Sequence, residues 1–159
     1  MKKVIYLIIS FFIFILLFGC ITTPSPPGNP IVIQRVVEAD YTKDEFFRLS
    51  NEWLTKTFRS SKSVIQYQDK EEGIIIGKGF TPIRMGLVPI DAWFTIKIEN
   101  KENKSRITIN DLYGSQYIEG REQTFYYEQS DRDRAEAERE LNIIVDDYEK
   151  FILSEVEEW

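Results

Sequence analysis

The sequence contains no histidine and only one cysteine, Cys20. Without histidine, the protein cannot have a catalytic triad, a zinc site or a proton relay that depends on an imidazole. One cysteine can form neither an intramolecular disulfide nor a cysteine-rich metal site. Catalysis would have to depend on carboxylates, lysine, tyrosine or serine, so we expect a non-catalytic protein with neither a metal nor another cofactor.

Basic residues are also too few to balance the acidic ones. The chain has 20 Lys and Arg against 26 Asp and Glu, and its formal net charge is −6. A domain with this charge repels the phosphate backbone of nucleic acids unless it carries a local basic patch. The basic residues are instead interleaved with acids along the chain, which argues against nucleic acid as a partner.

The first 19 residues have the composition of an export signal. Two lysines follow Met1, and the residues from Val4 to Phe18 are apolar except for Tyr6 and Ser10. This apolar core is shorter than the roughly 20 residues that a membrane-spanning helix needs. The pattern therefore predicts a signal peptide over residues 1–19.

The motif Leu17-Phe18-Gly19-Cys20 resembles the lipobox of bacterial lipoproteins, although Phe18 is bulkier than the small residue usual there. The resemblance implies cleavage before Cys20, lipid attachment to Cys20 and a protein held at a membrane of the cell envelope, outside the cytoplasm. Several acyl chains, at about 0.8 kcal/mol per buried methylene, hold a protein stably at a membrane. The alternatives are an uncleaved anchor or an ordinary signal peptide with an incidental cysteine.

Residues 21–30, ITTPSPPGNP, contain four of the six prolines. Such a segment favours an extended conformation, and ten residues at about 3.1 Å each span about 30 Å. We predict three parts: a leader over 1–19, a lipidated cysteine and proline-rich linker over 20–30, and one α+β domain over 31–159. With the leader removed, the chain has room for one domain that needs no disulfide or metal to fold.

The domain is organised around a predicted hairpin. Ser63–Gln68 and Gly73–Gly77 are rich in residues that favour strands, and the charged segment Asp69–Glu72 predicts the turn between them. A strand over Ile31–Glu38 and a helix with a capping box at Thr42 precede the hairpin. The core-facing stripe predicted for this helix contains Phe46, Phe47, Leu49, Trp53, Leu54 and Phe58.

Two further strands are predicted after the hairpin. Thr81–Ile90 contains two prolines and a glycine, which predict a loop or an irregular edge crossing. In Asp91–Glu99, apolar and polar residues alternate, which predicts a strand with one buried face. Arg106–Asn110 is its expected antiparallel partner.

No regular element is assigned to the 17 residues from Gly114 to Ser130. The aromatic residues of this stretch are candidates for binding a ligand or partner, and the alternative is that they pack the last helix onto the sheet. The candidate residues are Tyr117, Phe125, Tyr126 and Tyr127. A long last helix follows Ser130, and we expect its C-terminal half to overhang the sheet, exposing Phe151, Val156 or Trp159.

The order of elements and the segment SSKSVIQYQDKEEGIIIGKG resemble a bacterial family of domains of unknown function that is common in lipoproteins. That family has been assigned a TATA-binding-protein-like fold. The resemblance covers about Ile31 to Tyr113 and implies a curved antiparallel sheet of about five strands, in the order β-α-β-β-β-β-α, with two helices on one face. The family supplies no catalytic residues to transfer.

These observations favour a non-catalytic envelope lipoprotein that binds an envelope protein or a cell-wall component. One alternative is a hydrolase of envelope glycans that depends on two facing carboxylates, at least one with a raised pKa. Another is a structural lipoprotein without a specific ligand. The identity of the partner and the membrane that holds the anchor stay open.

Overall fold

The computed structural model describes residues 28–58 and 64–154. The predicted leader, Cys20, most of the linker and residues 59–63 and 155–159 lie outside the described residues. The described part forms six strands, two α-helices and one short 3-10 helix. In chain order these are β1 (Ile33–Glu38), α1 (Lys43–Thr57), β2 (Val64–Asp69), β3 (Ile74–Met85), β4 (Val88–Lys101), β5 (Lys104–Ile118), β6 (Arg121–Phe125), the 3-10 helix (Tyr127–Gln129) and α2 (Asp131–Ser154).

The strands form one antiparallel sheet in the order β1-β5-β4-β3-β2, and β6 pairs with the last part of β5. Both helices pack on one face, where alternate side chains along much of β3, β4 and β5 are buried. We call the other face, which carries no helix in the described part of the chain, the open face. The predicted α+β class with two helices on one face is confirmed, and β6 is a strand that the sequence did not predict.

Both helices begin as predicted. The hydroxyl of Thr42 accepts a hydrogen bond from the Glu45 backbone N–H at 3.3 Å, and the Glu45 carboxylate accepts one from the Thr42 backbone N–H at 2.8 Å. These two bonds complete the capping box of α1. The Ser130 hydroxyl accepts the Asp133 backbone N–H at 3.4 Å at the start of α2. Among the described residues, no helix is both long enough and apolar enough to cross a membrane.

The expected overhang of the last helix is wrong for the residues that the structure describes. Tyr148 and Ile152 are fully buried, because the C-terminal half of α2 packs on the sheet and on α1. Phe151 is partly buried against the same core. Val156 and Trp159, the other residues expected to be exposed, lie outside the described ranges.

The segment Thr81–Ile90 is not a loop, contrary to the prediction. β3 continues to Met85 and β4 begins at Val88, so the two strands form one long hairpin. Its turn consists of Gly86 and Leu87, and Gly86 has a φ of +63°. A positive φ at the first central residue is what a type II′ hairpin turn requires, and glycine adopts it without strain.

Pro82 and Pro89 are tolerated because this half of the hairpin has a described partner on only one side of each strand. The pairing of β2 with β3 ends at Lys78, and the pairing of β5 with β4 begins at Asp91. A proline nitrogen can face the unpaired side without removing a hydrogen bond from the ladder. The prolines therefore mark the edge of the sheet and not the end of the strands.

The stretch from Gly114 to Ser130 is a second hairpin followed by a 3-10 turn. β5 continues to Ile118, the chain turns at Glu119 and Gly120, and β6 returns alongside β5. The positive φ of Gly120, +78°, belongs to this turn. The stretch is thus largely regular, and it brings the chain back to the start of α2.

A buried polar cluster joins both helices to the sheet. The side-chain oxygen of Asn100 lies 2.7 Å from the Ser105 hydroxyl and 3.1 Å from the Ser50 hydroxyl. The Tyr148 hydroxyl lies 2.6 Å from the Ser105 hydroxyl and 2.9 Å from the Ser50 hydroxyl. Burial raises the pKa of Tyr148 to about 12, although the two serine hydrogen bonds act in the opposite direction. The side-chain amide of Asn100 also donates to the Gly73 carbonyl at 3.1 Å, which ties the β2–β3 turn to the cluster.

Candidate ligand-binding site

A β-bulge in β5 shapes the candidate site. Trp93 of β4 lies opposite Tyr113, and Thr95 lies opposite Asn110, so β5 contributes one residue more than β4 between these pairs. Asp111 is in the bulge and has a φ of +52°, a left-handed conformation that aspartate adopts more readily than most residues. Because of the extra residue, Asn110 and Tyr113 both lie on the open face.

A pocket of about 380 Å³ lies beside this bulge. One wall is the incoming chain at residues 30–32, the second is the bulge at residues 110–113, and the third contains Tyr126 and Glu128. We call it the Tyr126 pocket. Its volume lies within the range of pockets that bind small molecules.

Two acceptor oxygens of the Tyr126 pocket are buried without a donor. Asn110 Oδ1 and Glu128 Oε2 have no hydrogen-bond partner in the part of the chain that the structure describes. The other carboxylate oxygen of Glu128 accepts the backbone N–H of Ile31 at 3.3 Å. An unsatisfied buried acceptor costs about 1–3 kcal/mol. Both oxygens are closed to solvent, so a donor in the Tyr126 pocket would pair with them only after a small movement of the pocket walls.

An aromatic row crosses the open face and ends at the pocket. Phe80 of β3 lies opposite Trp93 of β4, which lies opposite Tyr113 of β5. The rings of Phe80 and Trp93 have centroids 5.2 Å apart, and the indole N–H of Trp93 donates to the Ser115 hydroxyl at 3.2 Å. All three aromatic side chains are partly exposed, and Tyr113 also lines the Tyr126 pocket. The row places an apolar surface next to the two buried acceptors.

A second recess, of about 210 Å³, lies at the opposite end of the open face. Its central carboxylate, Glu99, contacts Lys97 at 3.1 Å and Arg106 at 2.8 Å. Partial burial would raise the pKa of Glu99, but the hydrogen bonds from Lys97 and Arg106 outweigh it and lower the pKa. Since the Glu99 carboxylate is already paired with these two cations, the second recess offers a ligand fewer free hydrogen-bond acceptors than the Tyr126 pocket does.

The structure separates the four aromatic residues predicted to bind a ligand or partner. Tyr126 lines the pocket, and Phe125 is partly buried on β6 opposite Gly114. Tyr117 is 75% exposed beside the β5–β6 turn. Tyr127 is fully buried in the core between the sheet and α2, so it packs the last helix and presents no surface to a ligand. Cys20, the predicted lipidation site, lies outside the described residues.

Three polar residues of the pocket were not predicted from the sequence. They are Asn110, Asp111 and Glu128. One signal for the bulge was present, because the buried apolar residues of β5 change their spacing from two to three between Ile109 and Leu112.

The described residues show no group of three or more histidine, cysteine or acidic side chains that could hold a metal ion. Hydrogen bonds to the carboxylates lower the pKa of Glu45, Glu52 and Asp69. A general acid in a glycosidase needs the opposite shift. These three carboxylates are therefore unsuited to that role.

A family model described as a domain of unknown function (DUF4468) with TBP-like fold matches residues 34–114. The match runs from β1 to the bulged part of β5, and it excludes β6 and α2. Curated proteins gave no match to the chain.

Two solved structures have a similar fold. A TBP-like protein from Parabacteroides distasonis has a TM-score of 0.59 and 14% sequence identity, over 79% of this chain and 96% of that one. A DUF4468 family protein from Bacteroides ovatus has a TM-score of 0.53 and 15% identity, over 84% of this chain and 88% of that one. At these identities the similarity concerns the fold alone.

Proposed function

The chain belongs to the DUF4468 family of domains with a TBP-like fold, and from this premise we propose that it is a membrane-anchored lipoprotein of the bacterial cell envelope with a non-catalytic binding domain. Fold does not settle function, so the proposal depends on the residues. The export leader and the lipobox-like motif at Cys20 support the anchor. The Tyr126 pocket, with its two buried acceptors and the aromatic row beside it, supports the binding role.

Replacing Cys20 with alanine is expected to abolish lipid attachment, because the alanine side chain has no thiol to carry a lipid, and with it the cleavage before residue 20 that the motif implies. Incorporation of tritiated palmitate and the mass of the product measure the two effects. Thr22→Ala changes a linker residue and keeps the thiol, so this control should stay lipidated and cleaved. Equal palmitate incorporation in wild type and Cys20→Ala would contradict the anchor.

The Tyr126 pocket favours a sugar unit of a cell-wall glycan as its ligand. A sugar carries hydroxyl or amide donors, which would satisfy Asn110 and Glu128, and it has an apolar face that can pack on Tyr113 and Tyr126. A pocket of about 380 Å³ also suits a small unit better than a protein surface. A specific protein partner would have to bury about 1,000 Å² or more, and so would have to cover the aromatic row as well.

Replacing Tyr126 with alanine is expected to weaken binding to purified insoluble cell wall about tenfold. The change removes one aromatic wall of the pocket, and a tenfold loss corresponds to about 1.4 kcal/mol, which is of the order of one aromatic contact. Co-sedimentation over a range of cell-wall concentrations gives the affinity. The matched control is Tyr67→Ala, since Tyr67 is 51% exposed on β2, away from the pocket.

Two results of this experiment would contradict the binding site. One is that Tyr126→Ala and Asn110→Leu, both folded by circular dichroism, bind cell wall as tightly as wild type. The other is that Tyr67→Ala weakens binding as much as Tyr126→Ala. Either result would mean that the pocket does not recognise the glycan.

One observation favours the alternative of a glycan hydrolase. The Tyr126 pocket brings together two carboxylates, Asp111 and Glu128, from different parts of the chain. A hydrolase would release new reducing ends from purified cell wall, and Glu128→Gln would still bind but release none. If wild type releases no reducing ends, this alternative fails and the binding role is unaffected.

A further inference from the structure

Four exposed apolar side chains lie together at one end of the domain. The β3–β4 turn and the β5–β6 turn lie at the same end of the sheet, because the start of β4 pairs with the last part of β5. Leu87 is 92% exposed and Val88 48% in the first hairpin, and Tyr117 is 75% exposed and Ile118 37% in the second. We call these four residues the apolar end.

The polypeptide enters the domain at this same end. The carbonyl of Asn29, near the first described residue, accepts a hydrogen bond from Arg134 Nη1 at 2.7 Å in the first turns of α2. Leu87 and Gly86 share a recess with Arg132 in the first turn of that helix. The incoming chain and the tip of the β3–β4 hairpin are thus both next to the start of α2.

The position of the anchor limits how far this end can be from a membrane. Cys20 precedes Gly28, the first described residue, by eight positions. Even fully extended, eight residues reach at most about 28 Å. If Cys20 carries the lipid, as the proposed function holds, the apolar end lies within reach of the bilayer.

We propose that the apolar end rests on the lipid surface of the membrane that holds the anchor, with Leu87 inserted among the lipid head groups and acyl chains. This inference depends on the proposed anchor. Apolar burial drives such contacts, and tyrosine side chains such as Tyr117 suit the boundary between water and lipid. Charges next to the tip are mixed, since Arg84 and Arg132 share the recess with Asp133 and Glu136. The contact therefore depends on apolar insertion more than on anionic lipids.

The test uses the lipidated full-length product in vesicles of three parts phosphatidylethanolamine to one part phosphatidylglycerol. Lipid attachment consumes the thiol of Cys20, so a new cysteine at position 87 is the only free thiol. An environment-sensitive dye attached to Leu87→Cys should emit at a shorter wavelength than the same dye attached to Lys101→Cys. Lipids that carry a spin label should also quench the dye at position 87 several-fold more than the dye at position 101. Lys101 lies beside the β4–β5 turn, at the other end of the sheet.

The outcomes separate this inference from the proposed function. If mass spectrometry shows a lipid on Cys20 and both dyes respond equally, the membrane contact is wrong and the anchor stands. If Cys20 carries no lipid, the anchor is wrong and the inference fails with it. The third outcome is measured in detergent, without vesicles. If the emission of the dye at position 87 shifts to shorter wavelength only as the protein concentration rises, a second copy of the protein covers the apolar end. That result overturns the lipid contact.

Discussion

Replacing Trp53 with alanine is expected to lower the free energy of unfolding by about 3–5 kcal/mol, which is a large part of the 5–15 kcal/mol typical of a whole domain. The Trp53 side chain is 1% exposed and lies where α1, α2 and the sheet meet. Its ring packs edge-on against Tyr148, with centroids 4.9 Å apart, and against Phe58 at 5.7 Å. Alanine would leave a cavity that these rings fill only in part.

The same substitution also removes a partly buried polar contact. The indole N–H of Trp53 donates to Asp147 Oδ2 of α2 at 2.9 Å, and this bond holds the two helices together. Urea denaturation followed by far-ultraviolet circular dichroism measures the effect without depending on tryptophan fluorescence. Trp93→Ala is the matched control, because Trp93 is partly exposed on the open face and should cost clearly less. Equal losses in the two variants would mean that the core does not centre on Trp53.

Replacing Gly73 with alanine is expected to destabilise the domain by about 2–5 kcal/mol, since backbone strain and a backbone clash act together. Gly73 has a φ of +71°, and a Cβ there would lie 2.4 Å from the backbone oxygen of Asn100. The Gly73 carbonyl accepts two hydrogen bonds from Asn100, from its backbone N–H at 2.8 Å and from its side chain at 3.1 Å. A displaced turn would weaken both bonds and disturb the buried polar cluster.

Gly86 offers a control with the same backbone strain and no clash. Its φ is +63°, and no atom lies within 4 Å of the position that a Cβ would take. Gly86→Ala should therefore cost only about 1–3 kcal/mol, which is the strain of a positive φ without a clash. Thermal unfolding of both variants measures the difference. If the two variants unfold at the same temperature, the close approach of Gly73 to Asn100 adds nothing to the loss of stability that the positive φ alone causes.

Local signals predicted much of the fold. The capping box at Thr42, the β2–β3 hairpin and the alternation in Asp91–Glu99 each depend on residues close together in the chain, and all three are confirmed. The prediction for Thr81–Ile90 failed because a proline is compatible with a strand only where one side of that strand is unpaired. That condition depends on where other strands end, which the local sequence does not contain.

The candidate site was predicted only in part, for a similar reason. Tyr126 was recognised as an aromatic residue suited to binding, and it does line the pocket. The acceptors Asn110 and Glu128 belong to the site only because a bulge and a 3-10 turn bring them to the same pocket as the incoming chain near Ile31. Neither residue is unusual in its own segment of sequence. That their side-chain oxygens are buried without a hydrogen-bond donor can be seen only in the folded structure.

The pairing of β1 with β5 has a consequence for the order in which the chain folds. Gln34 of β1 donates to Thr108 of β5, 74 positions later. Contacts between such distant residues are slow to form, because a long loop must close before any contact compensates for the lost entropy. β1 is synthesised before β5, yet in the described part of the chain β5 is the strand that it pairs with. A chain that stops before Lys104 would leave β1 without a partner and expose its apolar side chains, and it should be cleared by proteases.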